Sequence, residues 1–339
     1  MFLRVLCLSY FLTVQSVAQE SISLIEGEEY IKANLMVEVS KGRRLNLYCT
    51  GRGHPTVILE SGLTEPINNW GLVQPLISKS TRVCSYDRAG VGFSDKINRE
   101  STSSNLVEDL RNLLNNADIE PPYVLVGHSF GAMNVRLFAH SFPNDVIGIV
   151  LIDPSDENQV TRTRSNYPEK TDEQWQDEIE SFLDKQRNCL RESRNGFEEN
   201  TIWENECRFN QYKQLSEEVK IATEEFQKQP KFWEAQVSEL ENFYTLSAKQ
   251  LRAVRKSFGD LPLIVLTATR TPPSTNDREK LAKWKKNYEV WIELHKEQAK
   301  LSSRGIQKIV TGAGHQIALD RPEIVVQAVL KVIKESSSR

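Results

Sequence analysis

Several kinds of site are excluded by what this chain lacks. It carries only five histidines and five cysteines in 339 residues, and no pair of them has the close spacing of a zinc site. Its net charge is −3, with no long block of one sign, which removes the basic footprint of a nucleic-acid binder and the polybasic patch of a membrane-surface protein. Past the first twenty residues there is no apolar run near the ~20 residues that a bilayer span requires. No Asn-x-Ser/Thr acceptor occurs, an absence that favours a bacterial periplasm or medium over a eukaryotic secretory route.

The first apolar run is short. Met1-Phe-Leu-Arg4 is followed by apolar Val5 to Val14 and then Ser16-Val17-Ala18, with small residues at the two positions a signal peptidase reads. Residues 1–18 are therefore expected to be a cleaved secretory signal, making the protein secreted or periplasmic with no membrane span after removal. Cleavage takes Cys7 and leaves Cys49, Cys84, Cys189 and Cys207, and four cysteines in an exported chain suit disulfides better than metal.

Strand-like runs occur at Arg44–Cys49, Thr56–Glu60, Thr81–Tyr86, Tyr123–Val126, Val146–Ile152, Leu263–Leu266 and Ile306–Val310. Helical patterns lie between them. Trp70, Val73, Leu76 and Ile77 are expected to share one helix face, and Leu106, Leu110, Leu113 and Leu114 another. This alternation predicts an α/β protein with a mainly parallel sheet covered on both faces. From Ser155 to Phe258 no strand appears, but Trp175, Ile179, Phe182, Leu183 and Leu190 keep helical period behind a capping box, Thr171-Asp-Glu-Gln174.

Residues 127–131 read Gly-His-Ser-Phe-Gly, between the run ending at Val126 and a helical stretch. Strand, tight turn and helix in that order form a nucleophile elbow, whose strained serine needs neighbours without bulk two positions away on either side. A serine hydroxyl needs a base, and His315 is the candidate because it follows the last strand and precedes the last helix. His54 lies in a polar loop and His140 and His295 lie in helical patterns, so these three read as structural; His128 is expected to support the turn.

Glu60-Ser-Gly-Leu63, Tyr86-Asp-Arg-Ala-Gly-Val-Gly-Phe-Ser-Asp95, Gly127-His-Ser-Phe-Gly131 and Gly314-His-Gln-Ile-Ala-Leu-Asp-Arg-Pro-Glu323, in this order, resemble the alpha/beta-hydrolase superfamily over residues 30 to 335. The resemblance implies the alpha/beta-hydrolase fold with an inserted helical cap: core over 19–154 and 259–339, cap over 155–258. It implies Ser129 as nucleophile, His315 as general base, and the backbone N–H groups of Phe130 and Leu63 as an oxyanion hole. The family's usual histidine before that second donor is here Ser61. Asp87 and Arg88 belong to what is an architectural turn in the family.

The acid departs from the common pattern. The usual position, after the strand that follows the cap, holds Arg270 or Thr271, and the next acid there is Asp277. One branch of the superfamily places the acid at the end of the strand after the elbow, which is Asp153 here. Asp153 is the expected third member, with Asp277, and then Asp156 or Glu157, as alternatives.

Serine in the elbow argues against haloalkane dehalogenase and epoxide hydrolase chemistry, which need a carboxylate there. The expectation is a serine hydrolase of carboxylic esters or related acyl bonds, acting on a small-molecule acyl substrate without cofactor or metal. A cofactor-free lyase and a non-catalytic binding protein on the same scaffold are the alternatives. The resemblance also makes the strands of Cys49 and Cys84 neighbours in the sheet. Cys189 and Cys207 flank a polar stretch, Arg194 to Asn200, that reads as a turn between two helices and would bring that pair together.

Overall fold

A computed structural model describes residues 23–197, 202–209 and 211–336; the expected signal at 1–18 lies outside them. The framework is one eight-stranded sheet in the order β1-β2-β4-β3-β5-β6-β7-β8. The strands are β1 Leu35–Ser40, β2 Arg43–Thr50, β3 Thr56–Glu60, β4 Val83–Tyr86, β5 Tyr123–His128, β6 Val146–Ile152, β7 Leu263–Ala268 and β8 Gly305–Val310. Only the β1–β2 and β2–β4 pairings are antiparallel. The expected mainly parallel alpha/beta-hydrolase sheet is the one observed.

The inner strands are covered on both faces, so they read as continuous apolar runs. Leu125, Ile149, Leu151 and Val265 face a core shared with the helices Ser103–Asn116 and Gly131–Ser141. Val124, Val126, Val150, Ile152 and Leu266 face the other core, closed by the helix Pro322–Ser336. Leu106, Leu110, Leu113 and Leu114 are all buried, as their spacing predicts.

One expectation is corrected and one strand is added. The segment around Trp70 is a short 3-10 turn, Ile67–Trp70, and a single helical turn, Gln74–Ile77, separated by Gly71; Trp70, Val73 and Ile77 still share one core, but Leu76 is 38% exposed. Strand β1 adds an element to those expected, with Val37 and Val39 buried on either side of exposed Glu38 at a period of two.

Between β6 and β7 the described residues form helices Gln159–Arg164, Asp172–Arg194, Glu217–Gln227, Pro230–Asn242 and Ala248–Val254, with π-helical turns at Trp203–Cys207 and Phe243–Ser247. The capping box at Thr171 and Gln174 is formed in both directions. This insertion has its own aromatic core of Phe197, Trp203, Phe226, Phe232 and Trp233. Phe243, Ala248 and Leu251 pack instead into the core beneath the sheet. Cys189 is bonded to Cys207, and Cys49 to Cys84 at directly opposed positions of β2 and β4. Among the described residues no helix is long and apolar enough to cross a membrane.

Candidate active site

Strand β5 lies between β3 and β6 and is buried along its whole length. Ser129 follows it with φ 51°, a left-handed conformation that costs free energy for any residue but glycine. The flanking glycines make the turn sterically possible. A Cβ on Gly127 would lie 2.7 Å from the Ala132 Cα, and one on Gly131 would lie 2.4 Å from the carbonyl oxygens of Glu60 and Ser61. The Ser129 N–H donates to Ile152 O at 3.1 Å and its carbonyl accepts from Ser155 N at 3.0 Å, so the neighbouring strand end holds the strained residue from both sides.

The same strand end delivers the acid. Asp153 follows β6, is fully buried, and accepts at Oδ2 from His315 Nδ1 at 2.6 Å. The opposite ring nitrogen, Nε2, lies 3.0 Å from Ser129 Oγ. With Nδ1 donating to the carboxylate, Nε2 is the acceptor for the serine hydroxyl proton. The second carboxylate oxygen accepts from Ala268 N and from Trp291 Nε1, each at 3.0 Å. Burial alone favours the protonated acid, but the hydrogen bond and charge of His315 outweigh it and hold Asp153 well below the usual carboxylate range. Arg270, at the position where the acid is common, stacks on Trp291 at 4.2 Å with Nη2 3.8 Å from Asp153 Oδ2. His295 is buried beside this group; burial pushes it down to about 4. Its neutral ring donates from Nε2 to Pro154 O at 2.8 Å and accepts at Nδ1 from the Thr267 hydroxyl at 2.9 Å.

The other acids are occupied elsewhere. Asp277 caps the helix Arg278–Ala299 by accepting from the N–H groups of Glu279 and Lys280. Glu157 pairs with Arg136 and Arg255, and Arg255 also reaches Asp156. Neither they nor His54 and His140 join Ser129.

Beside Ser129 runs the loop Ser61–Glu65. Among the described residues the N–H groups of Leu63 and Phe130 have no acceptor, whereas those of Gly62, Thr64 and Glu65 are all paired. Thr64 is also left-handed, with φ 48°. Its N–H donates to Glu239 Oε2 at 2.8 Å and its hydroxyl bonds Gln236, both from the inserted helix Pro230–Asn242. Arg88, buried, donates from Nη1 to Ser61 O at 2.8 Å and from Nη2 to Gly62 O, while pairing with Glu60 and Glu239. The departure at Ser61 is supported locally, since its Oγ accepts from Trp70 Nε1 at 2.8 Å.

His128 does more than support the turn. Its Nδ1 faces Glu65 Oε2 at 2.8 Å and its Nε2 faces the carbonyl of His315 at 3.0 Å. Both partners are acceptors, so the ring satisfies them together only as an imidazolium. Burial opposes that charge, but the Glu65 carboxylate outweighs burial and raises the His128 pKa. Glu65 is half-buried; its partial burial raises its pKa, yet the charge and hydrogen bond of His128 bring it down to about 2. This pair ties the His315 loop to the Leu63 loop. Sequence reasoning missed Glu65, Trp291 and Glu239, because nothing local marks a glutamate or tryptophan whose partner lies far along the chain.

A cavity of about 510 Å³ opens between the Leu63–Asn69 segment and the inserted helices. Among the described residues no cluster of His, Cys, Asp and Glu could hold a metal ion.

A family model described as alpha/beta hydrolase fold matches residues 55–297. The Bacillus subtilis protein YqjL, of uncharacterised function, is 35% identical over 105 residues, 31% of this chain and 42% of its own length. An AB hydrolase superfamily protein of Gibberella zeae is 32% identical over 107 residues, 30% of this chain and 33% of its own length. The matched segments therefore span less than half of either relative. Among solved structures, a Pseudomonas aeruginosa protein provisionally assigned as an epoxide hydrolase superposes with a TM-score of 0.63 at 16% identity, covering 90% of this chain and 96% of its own. A provisionally assigned lipase of Acinetobacter baumannii gives 0.62 at 18%, covering 91% and 94%. A structure from work on carboxylesterases of Nitrososphaera gargenis gives 0.55 at 17%, covering 90% and 99%. At these identities the structural likeness concerns the fold.

Proposed function

The chain belongs to the alpha/beta hydrolase family, and on that premise we propose that it is an exported serine hydrolase that cleaves carboxylic esters through an acyl-enzyme intermediate. One observation carries this reading: a continuous hydrogen-bonded relay from Asp153 Oδ2 through His315 to Ser129 Oγ, at 2.6 and 3.0 Å.

The chemistry follows from those contacts. Ser129 Oγ attacks the acyl carbon while His315 Nε2 takes its proton, and the ionised Asp153 stabilises the resulting imidazolium and keeps the ring in the required tautomer. The carbonyl oxygen becomes an oxyanion that accepts from the Leu63 and Phe130 N–H groups, which have no other acceptor to release among the described residues. Collapse of the tetrahedral intermediate returns the proton to the leaving alcohol and forms the acyl-enzyme. Water then repeats the cycle, with His315 as base, releasing the carboxylic acid and restoring the serine.

Thioesters, lactones and amides would pass through the same intermediate. The ester assignment draws on the superfamily's broadest use of this residue set and on the lipase and carboxylesterase names among the structural neighbours. The two disulfides support an oxidising compartment. Labelling with a fluorophosphonate probe and peptide mapping tests the assignment: the adduct is expected on Ser129 and absent from Ser129→Ala. A folded wild-type protein that takes no label would refute it, and an acyl-enzyme trapped from a p-nitrophenyl ester would set aside lyase chemistry.

A further inference from the structure

The reacting groups of the candidate site stand on three loops: Leu63 after β3, Ser129 after β5 and His315 after β8. The strands fix where each loop starts, not how its tip stands against the others. One side chain, Glu65, bonds all three loops. Its Oε2 accepts from Gly62 N and from His128 Nδ1, each at 2.8 Å, and its Oε1 accepts from Gln316 Nε2 at 2.5 Å. Gly62 precedes Leu63, His128 precedes Ser129 and Gln316 follows His315, so each donor is the chain neighbour of a reacting group.

Among the described residues Glu65 has no hydrogen bond to Ser129, Asp153 or the His315 ring, whose two nitrogens face Asp153 and Ser129. It acts at one remove. His128 Nε2 donates to the His315 carbonyl at 3.0 Å, and the two imidazole rings have centroids 4.7 Å apart. A charged His128 therefore stands beside the ring that takes the Ser129 proton, and like charges at this range repel. The Glu65 carboxylate offsets that repulsion. His128 is buried and the Glu65 side chain is only 16% exposed, so solvent screens the pair little. The further charged group facing His128 is Asp153, and the titratable groups facing Glu65 are His128, His315 and the Tyr212 hydroxyl, which bonds Gln316.

Resting on the hydrolase reading above, we propose that Glu65 is a positioning residue of the reaction: it holds the oxyanion amide, the nucleophile and the base in one arrangement, and does so only while His128 carries its proton. A charged His128 donates to both Glu65 and the His315 carbonyl, whereas a neutral one has a single N–H and must release one of them. The Glu65 carboxylate keeps that proton in place against burial. The sign of the pH dependence follows: the arrangement is complete below the raised His128 value and is lost as pH rises through it. Without the carboxylate, burial favours the neutral ring, and the loss begins at lower pH. Glutamine at position 65 also offers one accepting oxygen to three donors, and alanine offers none.

The test is steady-state kinetics of the purified full chain on p-nitrophenyl acetate between about pH 5 and pH 9.5, for wild type, Glu65→Gln and Glu65→Ala. At pH 7 kcat is expected to fall about tenfold in Glu65→Gln and about 100-fold in Glu65→Ala, the cost of displacing reacting atoms by up to about an ångström, with KM changed less than about threefold. Wild-type kcat should decline on the alkaline side, and in Glu65→Gln that decline should move to lower pH by about one unit or more. A wild-type kcat and an unmoved decline in Glu65→Gln would overturn the proposal and leave the hydrolase reading intact. A loss of kcat with the decline unmoved would show Glu65 to be structural, and a loss carried by KM would make it a binding residue; either result overturns the proposal as well. Should Glu65→Ala not fold, Glu65→Gln, which keeps the side-chain shape, decides alone. If wild type neither turns over the ester nor takes the fluorophosphonate label, the hydrolase reading fails and takes this proposal with it.

Discussion

The two sides of the candidate site, the sheet and the insertion, are built by opposite means. On the sheet side, the reacting groups hang on backbone: Ser129 and Asp153 end adjacent strands, each held by main-chain hydrogen bonds to the next strand end, and His315 follows β8. On the inserted side, the wall is made of side chains on helices, aromatic rings and amides whose own core is small and stapled by Cys189–Cys207. The first arrangement fixes atom positions closely, because strand register leaves little freedom. The second tolerates exchange of one side chain for another. The two walls are joined where Glu239 and Gln236 reach across to Thr64.

The largest effect should come from breaking the sheet-side wall at its reacting atoms. Ser129→Ala is expected to lower kcat by at least roughly 10⁴-fold with the unfolding temperature unchanged, since only a hydroxyl is lost. Asp153→Asn should cost on the order of 10³–10⁴-fold, whereas Asp277→Asn should cost less than about fivefold because asparagine caps a helix as well as aspartate. Steady-state kinetics on one p-nitrophenyl ester decide both, and reversed results would move the acid to the post-insertion loop.

Next is the join between the walls. Glu239→Gln keeps the side-chain shape but cannot accept from both the Thr64 N–H and the two Arg88 contacts. Misplacing one oxyanion donor is expected to lower kcat by about 10–100-fold, a little less than outright removal of such a donor, with KM changed far less. An equal loss in KM would mean that Glu239 serves binding instead.

The inserted wall should respond in stability rather than chemistry. The Cys189–Cys207 bridge closes a separation of 18 residues, and replacing both cysteines with alanine should cost about 3 kcal/mol on a chain-entropy estimate, measured by denaturant unfolding. A loss of that size with kcat on a short ester nearly intact would sharpen the contrast between the walls; a collapse of kcat would erase it.

The smallest effect concerns pH. Glu65 titrates near 2 in the folded protein against an ordinary 4.5, so its contribution to stability is present above about 4.5 and lost as pH falls toward 2. His128 is raised above its ordinary 6.5, so its contribution is present below 6.5 and lost as pH rises through the raised value. The difference in unfolding temperature between wild type and Glu65→Gln should therefore be greatest between about pH 4.5 and 6.5 and shrink on both sides. A difference that does not vary with pH would mean the pair is not ionised.

Much of the sheet was legible because buried parallel strands need unbroken apolar runs, and Tyr123–Val126 and Val146–Ile152 supply them. Strand β1 was passed over because Leu35 and Met36 blur an alternation that only Val37 and Val39 carry. The Trp70 segment was misread as one helix because hydrophobic spacing registers a face but not the break at Gly71. Ser129 and His315 were legible from punctuation: glycines that leave room for a turn, and a histidine between the last strand and the last helix.

The chain's sequence alone determined most of the elements, their order and the residue types placed at strand ends, since these depend on local steric rules and on the period of apolar side chains. Only the tertiary structure decided that Asp153 rather than Asp277 meets His315, that His128 and Glu65 pair beside it, and that Glu239 holds a loop 175 residues away. Those outcomes depend on which side chains converge once the sheet is assembled. A carboxylate's role is set by the donors that surround it in space, and no local pattern in the chain encodes them.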